Sequence, residues 1–266
     1  MTHLVRNTNR LLFEIPVERG FTRPADVPNH KLDPALTMTL RDPGRLEAHY
    51  RSAAEGLRMR SGGRLSHVFV TSPRTGDGKT CTAINLAWSL ARAGKRVLLA
   101  ELNFSRPRLL SAFGNLRVRY GLENALRGWV DPSDAIFSLV TSGLHVAPLR
   151  NATPAERLDP VLEHLSAFFD WSAARYESVI FDCPSVLSPE WDAWFGISIG
   201  AALLVVREGR TPLVEVRQAM ERLGAGMKGI LLNGAQEAPG NEDTGNTLFS
   251  ATARSKTDAG NRPIAV

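Results

Sequence analysis

Five short, uninterrupted apolar runs punctuate the chain: His67–Thr71 (HVFVT), 97–100, 179–181, 203–206 and 230–232. Runs this brief, bounded by turn residues, are the pattern of strands buried on both faces. Between them the apolar spacing lengthens to the helical period, most clearly over 80–92, 155–175 and Leu213–Leu223, with shorter helices expected at 122–128 and 132–139. Gly94 stands where the first of these helices must end. Ahead of the first strand, Pro43–Arg60 sets Leu46, Tyr50, Ala53, Ala54 and Leu57 at helical spacing and predicts a helix packed on the domain. Strand alternating with helix predicts an α/β fold, a mainly parallel sheet covered by helices on both faces.

The ends break this rhythm. Residues 1–40 mix Pro16, Pro24, Pro28 and Pro34 with polar residues and read as a mobile leader. Residues 237–266 are polar and glycine-rich and read as a disordered tail. One domain over 41–236 is expected between them.

Composition narrows the class. Of 266 residues, 43% are hydrophobic and 22% charged, which excludes a fibrous or wholly disordered chain. No run approaches the roughly 20 apolar residues that cross a bilayer, and the N-terminus lacks a secretion signal, so a cytoplasmic protein is expected. Cys81 and Cys183 then read as reduced thiols, and the six histidines show no finger-like spacing with them. A net charge of +5 describes a mildly basic surface. Without an aromatic and basic ladder it predicts no specific nucleic-acid partner.

Candidate chemistry begins with SPRTGDGKT at 72–80, set between an apolar strand and an amphipathic helix. A glycine-rich loop lets successive backbone N–H groups converge on phosphate at the positive end of the next helix. Gly76, Asp77, Gly78, Lys79, Thr80 and Cys81 therefore form the expected nucleotide-binding residues, with Lys79 reaching the phosphates and the Thr80 hydroxyl holding magnesium. A second acidic residue at a neighbouring strand end is needed to fix the metal. SVIFDCP supplies Asp182.

Taken together, SPRTGDGKT, INLAWSLARAGKRVLLAE, NFSRP, GLENALRG, TPAERL, YESVIFDCPSVLSPEWDA, LLVVREGRT and GILLN resemble, in order and spacing, the bacterial tyrosine kinases of capsule and exopolysaccharide synthesis. These are cousins of the MinD and ParA ATPases, and the likeness covers roughly residues 45–235. It implies a P-loop NTPase fold, ATP and Mg²⁺ as cofactors, and Lys79, Glu101 and Asp182 as catalytic residues. It also implies a membrane polysaccharide co-polymerase as partner, which would hold the protein at the inner face of the membrane. Asn233 matches the asparagine that contacts adenine in these relatives, with a plain turn residue as the alternative. Arg74 stands where MinD and ParA relatives carry a lysine that reaches a dimer partner's phosphates.

The departures matter as much. The family's second acidic block has two aspartates one residue apart, and here those positions are Glu101 and Asn103. An amide cannot act as a general base. Only Tyr50, Tyr120 and Tyr176 are present, none in a C-terminal cluster. The Glu-x-x-Arg-x-x-Arg signature for ring assembly becomes Ala48, Arg51 and Ala54, which weakens a ring and leaves homo-oligomers open. The expected function is an ATP- and Mg-binding, tyrosine-kinase-like regulator of exopolysaccharide polymerisation and export, with weak or absent phosphotransfer. The alternative is a MinD/ParA-like ATPase switch that positions a cellular component.

Overall fold

The computed structural model describes residues 43–63, 65–139, 142–154, 158–192 and 200–234. The expected leader and tail lie outside them, as do residues 155–157 of the helix expected over 155–175.

Seven strands form one sheet in the order β3-β4-β2-β5-β1-β6-β7. They are β1 His67–Thr71, β2 Val97–Glu101, β3 Phe137–Leu139, β4 Leu144–Ala147, β5 Ser178–Asp182, β6 Ala201–Arg207 and β7 Met227–Asn233. All neighbours pair parallel except β3 with β4. This is a P-loop NTPase-like α/β fold.

The strands are continuously apolar because both faces are covered. Along β1, Val68 and Val70 enter one core and Phe69 the other; along β5, Ile180 opposes Val179 and Phe181 in the same way. The first core is closed by α1 (Pro43–Arg60), through Tyr50, Ala54 and Leu57, and by α2 (Lys79–Arg92), through Ile84, Leu86 and Trp88. The second is closed by α4 (Leu122–Leu126), α6 (Leu165–Ala173) and α8 (Leu213–Leu223). Phe69 and Phe181 stack at 4.9 Å in its centre. Gly94, at φ 81°, ends α2: Lys95 N donates to Leu90 O at 3.2 Å, a bond that needs a left-handed residue between them.

Two expectations are corrected. The helix expected over 132–139 is a 3₁₀ turn, Pro132–Ala135, followed by β3. Asp131 caps the turn by accepting from Ser133 N at 2.8 Å, but Phe137 and Leu139 then alternate inward and pair with β4, overriding the helical spacing. The single helix expected over 155–175 is divided into α5 (Asp159–Leu162) and α6, with His164, at φ −100° and ψ 2°, leaving the helical path between them. The remaining short helices are α3 (Leu109–Ala112) and α7 (Pro189–Asp192).

Candidate functional site

Parallel pairing brings the C-terminal ends of β1, β5, β2 and β4 to one edge of the sheet, where ligand crevices of open α/β sheets form. The loop 72–80 leaves β1 at that edge. Its hydrogen bonds show why it keeps its shape. Thr71 Oγ1 donates to Pro184 O at 2.7 Å, and Ser72 Oγ donates to Arg74 O at 2.6 Å.

Asp77, only 3% exposed, is the hub of the loop. Its carboxylate accepts from Arg74 N at 3.2 Å and from Thr211 Oγ1 at 3.0 Å, while Asn233 Nδ2 donates to its carbonyl at 2.8 Å. The structure therefore places Asp77 and Asn233 as braces behind the loop. Gly78 makes that brace fit. It has φ 100°, and a Cβ there would lie 2.0 Å from Asn233 Nδ2. Gly76, at φ 98°, lies in the same conformation, and α2 begins directly after Gly78 with Lys79 and Thr80 in its first turn.

The two side chains expected to meet phosphate and metal converge on β5. Lys79 is buried, and its Nζ donates to Ser185 Oγ at 3.1 Å. Burial pulls its ammonium below the usual lysine range, opposed by Asp182 and Asp77. Thr80 Oγ1 donates to Asp182 Oδ2 at 2.6 Å. Asp182 is wholly buried, and its Oδ1 has no hydrogen-bond partner. Burial raises its carboxyl to about 6, against the Thr80 bond and the Lys79 charge.

A buried carboxylate oxygen without a partner is costly, and beside a hydroxyl on a phosphate loop it fits a magnesium site. Among the described residues no cluster of three or more His, Cys, Asp or Glu is placed to hold a metal. Thr80 and Asp182 are the residues that would hold Mg²⁺ at this edge, a cation that is commonly bound through one or two carboxylates together with phosphate oxygens and water.

Glu101 ends β2 directly opposite Asp182 in register. Its carboxylate is fully buried and accepts from the backbone N–H of Arg108, from Leu109 N at 3.0 Å and from Leu149 N at 3.0 Å. Burial and the Asp182 charge push it up to about 8, although those backbone donors favour the ionised form. Glu101 is adjacent to the Thr80 and Asp182 pair but is engaged in holding two loops. Asn103 is half-buried in the same loop.

Sequence reasoning missed three contributors. Ser185 meets Lys79, and buried Glu190 on α7 accepts from Ser105 N at 3.2 Å and from the Ser105 hydroxyl, tying the loop after β5 to the loop after β2. Only the nearness of Ser185 and Glu190 to Asp182 in the chain could have signalled them. Arg74 forms an ion pair with Glu215 at 2.5 Å. Cys81 is half-buried and Cys183 buried, neither in a disulfide among the described residues, and burial holds the Cys183 thiol well above its ordinary range. Tyr50 and Tyr176 are buried; the Tyr50 hydroxyl accepts from Asn85 Nδ2 at 3.4 Å, and the Tyr176 hydroxyl meets His145 Nδ1 at 2.9 Å.

The family model described as the CobQ/CobB/MinD/ParA nucleotide binding domain matches residues 68–229. The chain is 27% identical over 197 residues to the tyrosine-protein kinase CpsD of Streptococcus pneumoniae, covering 70% of this chain and 83% of that protein. Other kinase relatives are longer, and the chain spans 24% and 27% of two of them. Among solved structures, the kinase domain of the Escherichia coli tyrosine kinase ETK aligns with a TM-score of 0.58 at 27% identity, over 65% of this chain and 70% of that one. MinD of Pyrococcus horikoshii, complexed with Mg-ADP, shares the fold with a TM-score of 0.51 at 20% identity, over 63% and 70%.

Proposed function

We propose that this chain, which belongs to the CobQ/CobB/MinD/ParA nucleotide-binding domain family, binds ATP with magnesium and acts as a tyrosine-kinase-like regulator of exopolysaccharide polymerisation and export. The observation that carries the nucleotide reading is the pairing of Thr80 Oγ1 with buried Asp182, whose second oxygen has no partner. Lys79, buried beside them, supplies a fixed positive charge for the terminal phosphates. Gly76 and Gly78 open the loop backbone toward the ligand, and Asp77 and Asn233 keep it rigid from behind. When bound, Mg²⁺ would supply neutralisation of phosphate charge, held by Thr80 and Asp182.

The kinase side of the reading leans on the similarity to CpsD and to the ETK kinase domain. A membrane polysaccharide co-polymerase is the partner that similarity suggests. Weak or absent phosphotransfer is favoured by two features. Glu101 is held by backbone donors and Asn103 is neutral. In the alternative, a positioning switch of MinD/ParA type, Arg74 would serve a second copy's phosphates. It would first have to leave Glu215.

The test is nucleotide titration of the purified chain with Mg²⁺ and ATP, alongside radiolabel transfer. Wild type should bind, whereas Lys79→Ala and Thr80→Ala should bind at least 10-fold more weakly, a loss of about 1.4 kcal/mol. Unchanged affinity in both variants would remove the site assignment. Label on tyrosine in wild type, absent in Lys79→Ala, would replace the regulatory reading with an active kinase.

A further inference from the structure

The positive charge of this chain is not spread evenly. Residues 103–129 and 148–154 contain Arg106, Arg108, Arg117, Arg119, Arg127 and Arg150 against one acidic residue, Glu123, with Asp131 and Asp134 following directly in the 3₁₀ turn that packs on α4. Glu123 is 1% exposed and faces inward, accepting from Arg150 N at 3.1 Å and Asn151 N at 3.2 Å. Five of the six arginines are exposed and Arg127 is half-buried.

These segments form one surface. Thr153 N donates to Phe104 O at 2.8 Å, Leu122 N to Pro148 O at 2.7 Å, and Arg150 Nη1 to Arg119 O at 2.9 Å. The surface also carries aromatic rings at its rim. Trp129 is 68% exposed with the Arg127 guanidinium 5.2 Å from its ring centre, and half-buried Tyr120 has Arg119 at 5.1 Å.

We infer that this arginine face, with Trp129 at its rim, docks the domain directly on a bilayer bearing anionic headgroups. Guanidinium groups recognise headgroup phosphates, and an indole with one polar edge settles at the interface between headgroup and acyl chain. Single-stranded nucleic acid fits less well. It needs successive open aromatic rings on which bases stack, and of the two rings here Trp129 is exposed while Tyr120 is half-buried.

The orientation that follows is specific. The face lies at the C-terminal ends of β2 and β4, the same edge as the phosphate loop, and β4 is three strands from β1, roughly 15 Å at strand spacing. Docking would turn the nucleotide edge toward the membrane. The charge and aromatic observations are independent of whether the chain transfers phosphate.

Co-sedimentation of the full chain with vesicles tests this. Phosphatidylcholine vesicles containing about one third phosphatidylglycerol should bind at about 50 mM salt and release the protein at about 500 mM, whereas pure phosphatidylcholine should not bind. Arg117→Gln with Arg119→Gln should weaken binding roughly 30-fold, about five-fold per arginine. The Lys versions should retain it, and Trp129→Ala should weaken it while leaving its salt dependence. Lys95→Gln with Arg96→Gln, the same charge removed from exposed sites at the opposite, N-terminal edge of the sheet, should change it less than about three-fold, because those sites lie roughly a Debye length or more from the docked surface. Equal binding to neutral vesicles, or equal loss in the Lys95 and Arg96 pair, overturns the inference. Tighter binding to single-stranded DNA than to anionic vesicles also overturns it and assigns the face to nucleic acid. The wild-type comparison decides the matter even if a variant fails to fold.

Discussion

Replacing Asp182 with Asn separates the cost of burying this carboxylate from its proposed part in holding Mg²⁺. The side chain is fully buried, accepts one bond from Thr80 and leaves Oδ1 without a partner. Burial raises its carboxyl from 3.8 to about 6. A gap of about two pH units between the folded and unfolded chains corresponds to about 3 kcal/mol between protonation states. The folded protein holds this proton where the unfolded chain has released it, so the associated stability is complete below about pH 4 and is lost as pH rises through 6. Asn has no proton to lose. The stability of wild type relative to Asp182→Asn should therefore fall by about 3 kcal/mol between pH 4 and pH 7, whatever constant offset the new amide introduces.

Glu101 extends the trend, since its carboxyl rises from 4.5 to about 8 partly through the Asp182 charge, and that contribution vanishes in the variant. Urea unfolding at half-unit pH steps in chelator, without nucleotide, measures the difference. A difference that stays flat within about 0.5 kcal/mol, or that grows in favour of wild type, would show that the carboxylate is not strained by burial. With Mg²⁺ and ATP the order reverses: wild type should gain stability with ligand concentration while Asp182→Asn gains little. Equal gains would dismiss Asp182 as a metal ligand.

Three other outcomes are expected. Gly78→Ala should cost about 2–3 kcal/mol, combining a left-handed backbone penalty with displacement of Asn233 from Asp77, and should cost less in an Asn233→Ala background. A double-mutant cycle by chemical denaturation measures that coupling, and additive costs would show that Asn233 is not what excludes a side chain at 78. Phe181→Ala removes a ring stacked on Phe69 in a fully buried layer and should lower the unfolding free energy by about 3–5 kcal/mol. Gly94→Ala should cost about 1 kcal/mol in the same assay, through the left-handed cap of α2.

The central strands can be read from the chain because helices cover both sides of the sheet, which makes residues such as those of β1 and β5 apolar without alternation. β4 escapes the same reading. His145 interrupts its apolar run, and only tertiary packing supplies the Tyr176 hydroxyl that the imidazole meets at 2.9 Å. β3 is three residues long and antiparallel at the sheet edge, where a 3₁₀ turn and a strand share one ambiguous pattern. At the site, Lys79, Thr80 and Asp182 are legible because loop and strand-end motifs fix their neighbours in sequence. Ser185, Glu190 and Ser105 are not, since each acquires its role from a partner at least 85 residues away. Asp77 is recognisable as part of the loop, but nothing in the sequence shows its carboxylate turned onto Thr211.

Glu101 decides between a kinase and a regulator more directly than any other side chain at this edge. A general base must present a lone pair to the group it deprotonates, with a pKa near the working pH. The Glu101 value of about 8 meets the second condition. Its geometry argues against the first, because its two oxygens are directed to Arg108, Leu109 and Leu149 backbone donors. Turning either oxygen toward a nucleophile would leave buried N–H groups unpaired, each at a cost of about 1–3 kcal/mol. Asn103, two residues on, offers no acid or base to take over. The edge that should hold ATP is thus better supplied with groups that bind and brace than with groups that move a proton, and this favours a nucleotide-loaded regulator over an efficient kinase.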